Sequence, residues 1–163
     1  MNLIAAIQLL IALAFVSIPL VRARYGDRAK IAAEAELARQ GVSPTVLAEK
    51  GLRFDASGHE TWAPVGIALV MAALAALNLA GADLAVTLTW ILQPVLFLGN
   101  LVIMYSNFTA AKSVTKVLPQ VDAVALLKAA DDAFPRWVTP WLQNLRNVVV
   151  LGGSAIVLLA LAL

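Results

Sequence analysis

The chain contains no cysteine and only one histidine among its 163 residues. Without cysteine it can form no disulfide, thiolate nucleophile, iron–sulfur cluster or cysteine-ligated zinc site. A single histidine also excludes a haem held by two histidines of this chain. Charged residues make up 13% of the sequence, about half of the usual share of roughly 25%. The chain therefore lacks the polar surface that a soluble single domain needs.

Apolar residues dominate instead, at 61% of the chain. Stretches without Asp, Glu, Lys or Arg predict membrane spans at about residues 2–21, 62–82, 84–106 and 145–163, because about 20 apolar helical residues cross the hydrocarbon core. The last stretch is uninterrupted only from residue 147, so we expect Arg146 to snorkel to the headgroups. The sequence predicts an all-α integral membrane four-helix bundle, a single membrane domain covering residues 1–163.

The basic residues are confined to the two long loops and their edges, with seven in residues 22–61 and five in residues 107–146. The short turn between the second and third spans carries only Asp83. Positively charged loops stay in the cytoplasm. We therefore expect cytoplasmic loops at 22–61 and 107–144, with the Asp83 turn, the N-terminus and the C-terminus extracytoplasmic. The first span is followed by arginines rather than preceded by them, which favours an uncleaved anchor over a signal peptide.

Both loops carry helix signals. Residues 27–40 are predicted to form one helix, which ends at Gly41, and Ser43-Pro44 is predicted to begin a second, shorter one. In the other loop, Val121, Val124, Leu127 and Ala130 form one apolar stripe of an amphipathic helix. The two cytoplasmic loops are therefore expected to be helical.

Alanines recur at every fourth position of the second span. This stripe consists of Ala68, Ala72, Ala76 and Ala80. Small residues let two helix backbones approach closely, which is how helices associate in lipid. We predict that this stripe packs against another helix, from this chain or from a partner.

Polar side chains recur along one face of the third span, at Thr89, Gln93, Asn100 and Asn107. Gln93 falls near the bilayer midplane, and Ser154 of the fourth span falls at a similar depth. Such residues face the interior of a bundle or a water-filled cavity. The preferred interpretation is a hydrogen-bonded clamp between Gln93, Ser154 and the carbonyl that Pro94 leaves free; the other is a substrate or proton path.

No residue cluster in the sequence specifies catalysis, a metal site or a cofactor. His59 lies beside Asp55 and Glu60, but this spacing matches no metal motif, and a solvated interfacial histidine is the simpler interpretation. There is no nucleophile elbow and no glycine-rich phosphate loop. Basic and acidic residues are interleaved in the loops, which argues against nucleic-acid binding.

The start of the second span resembles the MAPEG family of membrane glutathione-linked enzymes. That family shows an Arg-x-x-x-Asn-x-x-Glu-x-x-x-Pro pattern, and this chain has Arg53, Ser57, Glu60 and Pro64 at the same spacing. Serine stands at the asparagine position. The resemblance covers about a dozen residues and the four-span topology. It implies that Arg53, Ser57 and Glu60 would help to hold glutathione.

The sequence favours a non-catalytic membrane protein, an accessory or scaffolding subunit of a larger membrane complex. Its expected partners are the lipid bilayer and other membrane-protein subunits, and no cofactor is expected. The expected location is a bacterial plasma membrane. Two alternatives stay open: a MAPEG-like glutathione-dependent enzyme, and a small transporter or channel lined by the Gln93 face.

Overall fold

The computed structural model describes the backbone of residues 2–163 and every side chain in that range except those of His59 and Glu60. Within these residues all regular structure is helical. The helices are α1 (Asn2–Arg39), α2 (Val46–Glu49), α3 (His59–Leu79), α4 (Asp83–Val117), α5 (Ala123–Asp132) and α6 (Gln143–Ala162), and a kinked helical segment, Trp137–Leu142, leads into α6. Four helical segments are long and apolar enough to cross a membrane. The prediction of an all-α protein with four helices of membrane-spanning length and composition is confirmed.

The four long helices pack side by side as a membrane bundle. The first half of α1 contacts both α3 and α6, and α4 packs mainly against α6. The core of this bundle is aliphatic and aromatic, with Ile11, Phe15, Met71, Leu74 and Val157 at its centre. We call the end that carries the α3–α4 turn the turn side, and the opposite end, where the two long loops emerge, the loop side.

Helix α1 runs far past the predicted end of its span. A break was expected near Val21, with a separate helix over residues 27–40, but one helix continues to Arg39. At 1.5 Å per residue it is about 57 Å long, almost twice the hydrocarbon thickness. Before Val21 the side chains of α1 prefer lipid, and from Arg22 onward charged side chains prefer water. They do not interrupt the backbone hydrogen bonds, so the helix passes the interface unbroken.

Helix α4 is extended in the same way. The predicted span ended at Ser106, whereas the helix continues to Val117. At its other end α3 stops at Leu79, and Gly81 makes the turn to α4 with a φ of +69°. A left-handed φ of this kind suits glycine, which has no Cβ to clash. The short connection keeps α3 and α4 adjacent at the turn side.

A second apolar core lies on the loop side. It joins the second half of α1 to α2, to the end of α4 and to α5, and we call this group the loop-side module. Its fully buried side chains include Ala33, Leu37, Leu118 and Leu126. The two long loops are therefore folded against each other.

The details of the loop helices differ from the predictions. Helix α2 begins at Val46, after Thr45, and makes a single turn rather than starting at Pro44. In α5 the buried positions are Ala123, Leu126 and Ala130, together with Val121 just before the helix, while Val124 is 66% exposed. The carboxylate of Asp122 caps α5 by accepting hydrogen bonds from the amides of Val124 and Ala125 at 3.0 Å. The cap starts the helix at a rotation that turns Val124 away from α1.

Candidate functional site: buried polar contacts and a loop-side pocket

Three polar side chains meet inside the membrane bundle near the turn side. Gln8 of α1 donates through Nε2 to Thr89 Oγ1 at 3.3 Å. Asn78 of α3 donates through Nδ2 to Gln8 Oε1 and to Thr89 Oγ1, both at 3.1 Å. All three side chains are buried to 99% or more. This cluster links α1, α3 and α4 by hydrogen bonds in a region where water does not compete for them.

The cluster was missed in the sequence, although a signal for it was present. Gln8 and Asn78 are the only amide side chains inside the charge-free parts of their predicted spans, apart from Asn2 at the very start. A polar side chain in a span is expensive unless it is paired, so it marks a helix contact. Gln8 and Asn78 lie at similar depths in two different predicted spans, and this match in depth is the signal that predicts their contact.

A second polar contact lies deeper in the bundle. Gln93 Nε2 of α4 donates to Ser154 Oγ of α6 at 2.8 Å, and neither side chain is exposed. The structure thus brings together the two residues that depth alone had matched. The expected second bond, to the carbonyl freed by Pro94, is not formed by any described atom, and Gln93 Oε1 has no partner among the described residues.

The remaining polar residues of α4 separate into two groups. Asn100 is buried, and its Nδ2 has no partner among the described residues. Asn107 is exposed, unlike the other three members of the predicted face. The reason is the course of α4: over residues 101–108 every side chain except Met104 is exposed, around more than two full turns. The helix has left the bundle there, so the side chain of Asn107 lies exposed rather than against another helix of the bundle.

The alanine stripe of the second span is also divided. Ala68 is buried and Ala72 is half-buried against the bundle core, whereas Ala76 and Ala80 are exposed. The row of α3 that the bundle buries is Ala68, Met71, Leu74, Ala75 and Asn78. Larger side chains thus share this interface, and a small-residue pattern alone could not identify the contacting face.

Helices α1 and α6 approach each other closely at Gly153 of α6. A Cβ at this position would lie 2.9 Å from Ile7 Cγ2 of α1, whereas a Cβ at the neighbouring Gly152 would meet nothing within 4 Å. Glycine at 153 therefore allows α1 and α6 to pack tightly beside the Gln93–Ser154 contact.

A pocket of about 490 Å³ opens in the loop-side module, within the usual range of roughly 300–1,000 Å³ for small-molecule sites. Its lining mixes charged or polar residues with apolar ones. The charged or polar lining residues are Lys30, Glu34, Thr45, Arg53, Asp55 and Ser57, and the apolar ones include Pro44, Leu47, Leu52 and Phe54. Two of the three residues that the MAPEG resemblance suggested, Arg53 and Ser57, line this pocket; the side chain of Glu60 lies outside the described residues.

The loop that forms the pocket is fastened to α1 at two points. The Arg22 guanidinium donates to the carbonyl oxygens of Asp55 at 3.0 Å and Arg53 at 3.3 Å. A Cβ at Gly26 would lie 3.1 Å from the Cα of Asp55, so a larger residue there would push the loop away from the helix by a few tenths of an ångström. Neither contact could be predicted from the sequence, because both depend on how the loop folds back.

Asp55 organises the rim of the pocket electrostatically. Its carboxylate accepts hydrogen bonds from the Ser57 hydroxyl and, at 3.0 Å, from the Ser57 amide, and it pairs with Lys30 at 3.3 Å. The Ser57 hydrogen bonds, helped by Lys30, lower the pKa of Asp55 to about 2. On the far side of the module, hydrogen bonds from Arg39 and Gln40 lower the pKa of Glu36 to about 2. Both carboxylates are therefore charged at neutral pH.

Among the described residues no group of three or more His, Asp or Glu side chains could hold a metal ion. The side chain of His59 lies outside the described part, so the interpretation of that residue stays a prediction. Comparison with known proteins adds nothing to this geometry: no family model, no curated protein and no solved structure matches the chain.

Proposed function

We propose that the chain is a non-catalytic subunit of a larger membrane complex, in which it acts as an accessory or scaffolding component. The observation that carries this proposal is the course of α4. Its residues 101–108 are apolar or weakly polar, and seven of the eight are exposed. A partner helix would supply the packing that this segment lacks within the described chain.

The rest of the architecture supports the same proposal. Helices α1 and α4 both continue from the membrane bundle into the loop-side module without a break. A partner seated against α4 would thus be held at a set position relative to the module. Both helices contain an internal proline, Pro19 in α1 and Pro94 in α4. From the exposed segment into the module, however, residues 101–117 of α4 contain no proline or glycine, the usual causes of a sharp bend.

Site-specific photocrosslinking tests the proposal. A photoreactive amino acid replaces Val102 of α4 in the native host membrane, and we expect it to crosslink to one or a few defined membrane proteins. The matched control is Val148 of α6, which is also a valine near the loop side and is 68% exposed, against 67% for Val102. If both positions gave only lipid adducts, the α4 face would not be a subunit contact.

The proposed orientation places both long loops in the cytoplasm of a bacterium and the Asp83 turn outside its plasma membrane. It rests on the distribution of Lys and Arg. Cysteines introduced at Lys50, Lys128 and Asp83 can be labelled with an impermeant reagent in intact cells. Labelling is expected at position 83 alone, and labelling at position 50 or 128 would reverse the orientation.

A second candidate is a ligand-binding function in the loop-side pocket, such as a MAPEG-like glutathione-dependent activity. It is favoured by the presence of Arg53 and Ser57 in the lining of a pocket of suitable size. Calorimetric titration of the purified protein with glutathione tests it. Binding that Arg53→Gln abolishes and Arg39→Gln leaves intact would favour this function over the scaffold.

A further inference from the structure

An apolar groove runs along the outside of the membrane bundle, between α1 and α3. It has a volume of about 260 Å³. Its floor is made of the short side chains of Ala12, Ala68 and Ala72, and its walls include Leu9, Val16 and Leu69. If each methylene takes about 30 Å³, about the volume of one water molecule, the groove has room for roughly nine methylenes. A helix with its side chains is about 10–12 Å wide, so the groove suits one extended hydrocarbon chain better than a partner helix.

The length of this face matches one leaflet of a bilayer. Leu9 lies at the deep end of the groove, and the first basic residue beyond its shallow end on the same side of α1 is Arg24. The two residues are 15 positions apart, which corresponds to about 22 Å along the helix. One leaflet including its headgroups is about 20–22 Å thick, half of the bilayer. A lipid whose chain tip lies at Leu9 therefore has its headgroup at Arg24.

Two opposite charges lie where that headgroup would be. Leu20 and Asp27 follow the groove residue Leu13 at successive intervals of seven, which keeps them on nearly the same face of α1. Arg24 lies one turn from each of them. Arg24 and Asp27 are both exposed, and neither makes a hydrogen bond or an ion pair with a residue that the structure describes. On α3 the exposed Trp62 lies at the same end, as expected for a residue at the headgroup level.

We propose that this groove is a binding site for phosphatidylethanolamine. One acyl chain fills the groove, the phosphate pairs with the Arg24 guanidinium, and the primary ammonium donates hydrogen bonds to the Asp27 carboxylate. The order of charges along α1 matches the order in the lipid. Arg24 is nearer the hydrocarbon, as the phosphate is, and Asp27 lies one turn further out, as the ammonium does. The trimethylammonium of phosphatidylcholine has no N–H to donate, and phosphatidylglycerol offers Asp27 no cation.

Native mass spectrometry of the purified full-length chain tests this site. Dioleoyl-phosphatidylethanolamine, dioleoyl-phosphatidylcholine and dioleoyl-phosphatidylglycerol are added in equal amounts. We expect one molecule of the ethanolamine lipid to be retained at roughly two- to fivefold the level of each of the others, the range for an exposed charge pair. Equal retention of the ethanolamine and choline lipids would overturn the assignment.

Charge variants assign the two headgroup contacts separately. Asp27→Asn is expected to bring the ethanolamine-to-choline ratio to about one, whereas Arg24→Gln should lower the retention of all three lipids. Asp83→Asn is the control, because it removes an exposed carboxylate at the turn side, far from the site. If Asp27→Asn behaved like Asp83→Asn, the ammonium contact would be refuted.

A groove-filling variant tests the position of the acyl chain. Ala72→Leu places a larger side chain on the floor of the groove and should remove the retained lipid. Ala76→Leu adds the same side chain one turn further along α3, at an exposed position, and should not. Melting curves of both variants report whether the bundle is intact. Retention of the lipid by a folded Ala72→Leu protein would exclude the groove as the site.

Discussion

The membrane bundle and the loop-side module share two helices, α1 and α4, but they are held together by different side chains. The bundle buries a set of polar groups, Gln8, Asn78, Thr89, Gln93, Asn100 and Ser154, among its apolar residues. The core of the module is entirely aliphatic in its buried positions, and its charged pairs, such as Lys128–Asp132, lie outside.

This difference follows from the surroundings of each region. A module in water is stabilised by removing apolar surface from water. In lipid this term is missing, because the surrounding chains are as apolar as leucine, and helices associate through close packing and hydrogen bonds. One continuous helix such as α1 thus takes part in two cores of different physical origin.

The largest effect is expected from truncating the module core. Leu37→Ala should lower the free energy of unfolding by about 2–5 kcal/mol, because Leu37 is fully buried and a cavity remains. Leu74→Ala, at a leucine of the bundle that is 2% exposed, should cost less, because the cavity term remains there while the transfer of the removed methylenes from water does not apply in lipid. Unfolding of both variants in mixed micelles measures the difference. Equal costs would break the comparison between the two regions.

The next effect concerns close helix packing in the bundle. Gly153→Leu should destabilise the bundle by about 1–3 kcal/mol through overpacking against Ile7. Gly152→Leu is the matched control, because a side chain there meets no atom within 4 Å at its Cβ. Thermal melting in detergent compares the two. Leucine has a higher helix propensity than glycine, so propensity alone predicts no loss at either position. A loss at position 153 no larger than that at position 152 would exclude the α1–α6 contact as its source.

A smaller effect is expected from a single buried hydrogen bond. Gln93→Leu removes the bond to Ser154 and should cost about 0.6–2 kcal/mol, while association with partner proteins stays intact. The melting temperature and the yield of co-purified partners are measured together. A change in solute flux through reconstituted vesicles, at unchanged stability, would favour the transporter alternative instead.

The smallest effect is a pH dependence in the module. The pKa of Asp55 is lowered from 3.8 to about 2 in the folded protein, chiefly by Ser57. A lowered carboxyl pKa stabilises the folded state above the unfolded pKa, and this contribution is lost as the pH falls through the folded value. The stability difference between the wild type and Asp55→Asn should therefore be constant above about pH 5 and shrink between pH 4 and pH 2. A difference that does not change over that range would exclude the Ser57 and Lys30 contacts as its source.

The sequence predicted the parts of the fold that depend on local composition. Apolar runs and helix signals predicted an all-helical chain with four spans and with helices in both loops. The structure has helices in both loops and four helices that are long and apolar enough to span a membrane. The separate helix predicted over residues 27–40 was wrong, and α1 and α4 continue past the predicted span ends at Val21 and Ser106. A change from apolar to charged residues indicates the edge of a membrane and does not by itself end a helix. The α5 stripe was wrong at Val124, because the Asp122 cap sets the rotation of that helix.

A contact in the candidate sites could be predicted only where the depth of each residue in the membrane was enough to identify its partner. Gln93 and Ser154 could be matched by counting residues from the membrane edge. The Gln8–Asn78–Thr89 cluster required three helices to be adjacent, and the pocket required the loop around Asp55 to fold back over Gly26. Neither arrangement follows from the order of residues along the chain.

The sequence by itself determined which segments are apolar enough for lipid and which are charged enough for water, because hydropathy and charge act on each segment separately. Only the tertiary structure decided which faces meet: that α1 passes through both cores, that α4 leaves the bundle after Asn100, and that Ala68 is buried whereas Ala76 is not. The physical reason is that helix pairing in lipid depends on shape and on individual hydrogen bonds. Several faces of an alanine-rich helix offer similar shapes, so the choice among them is made by the neighbouring helices.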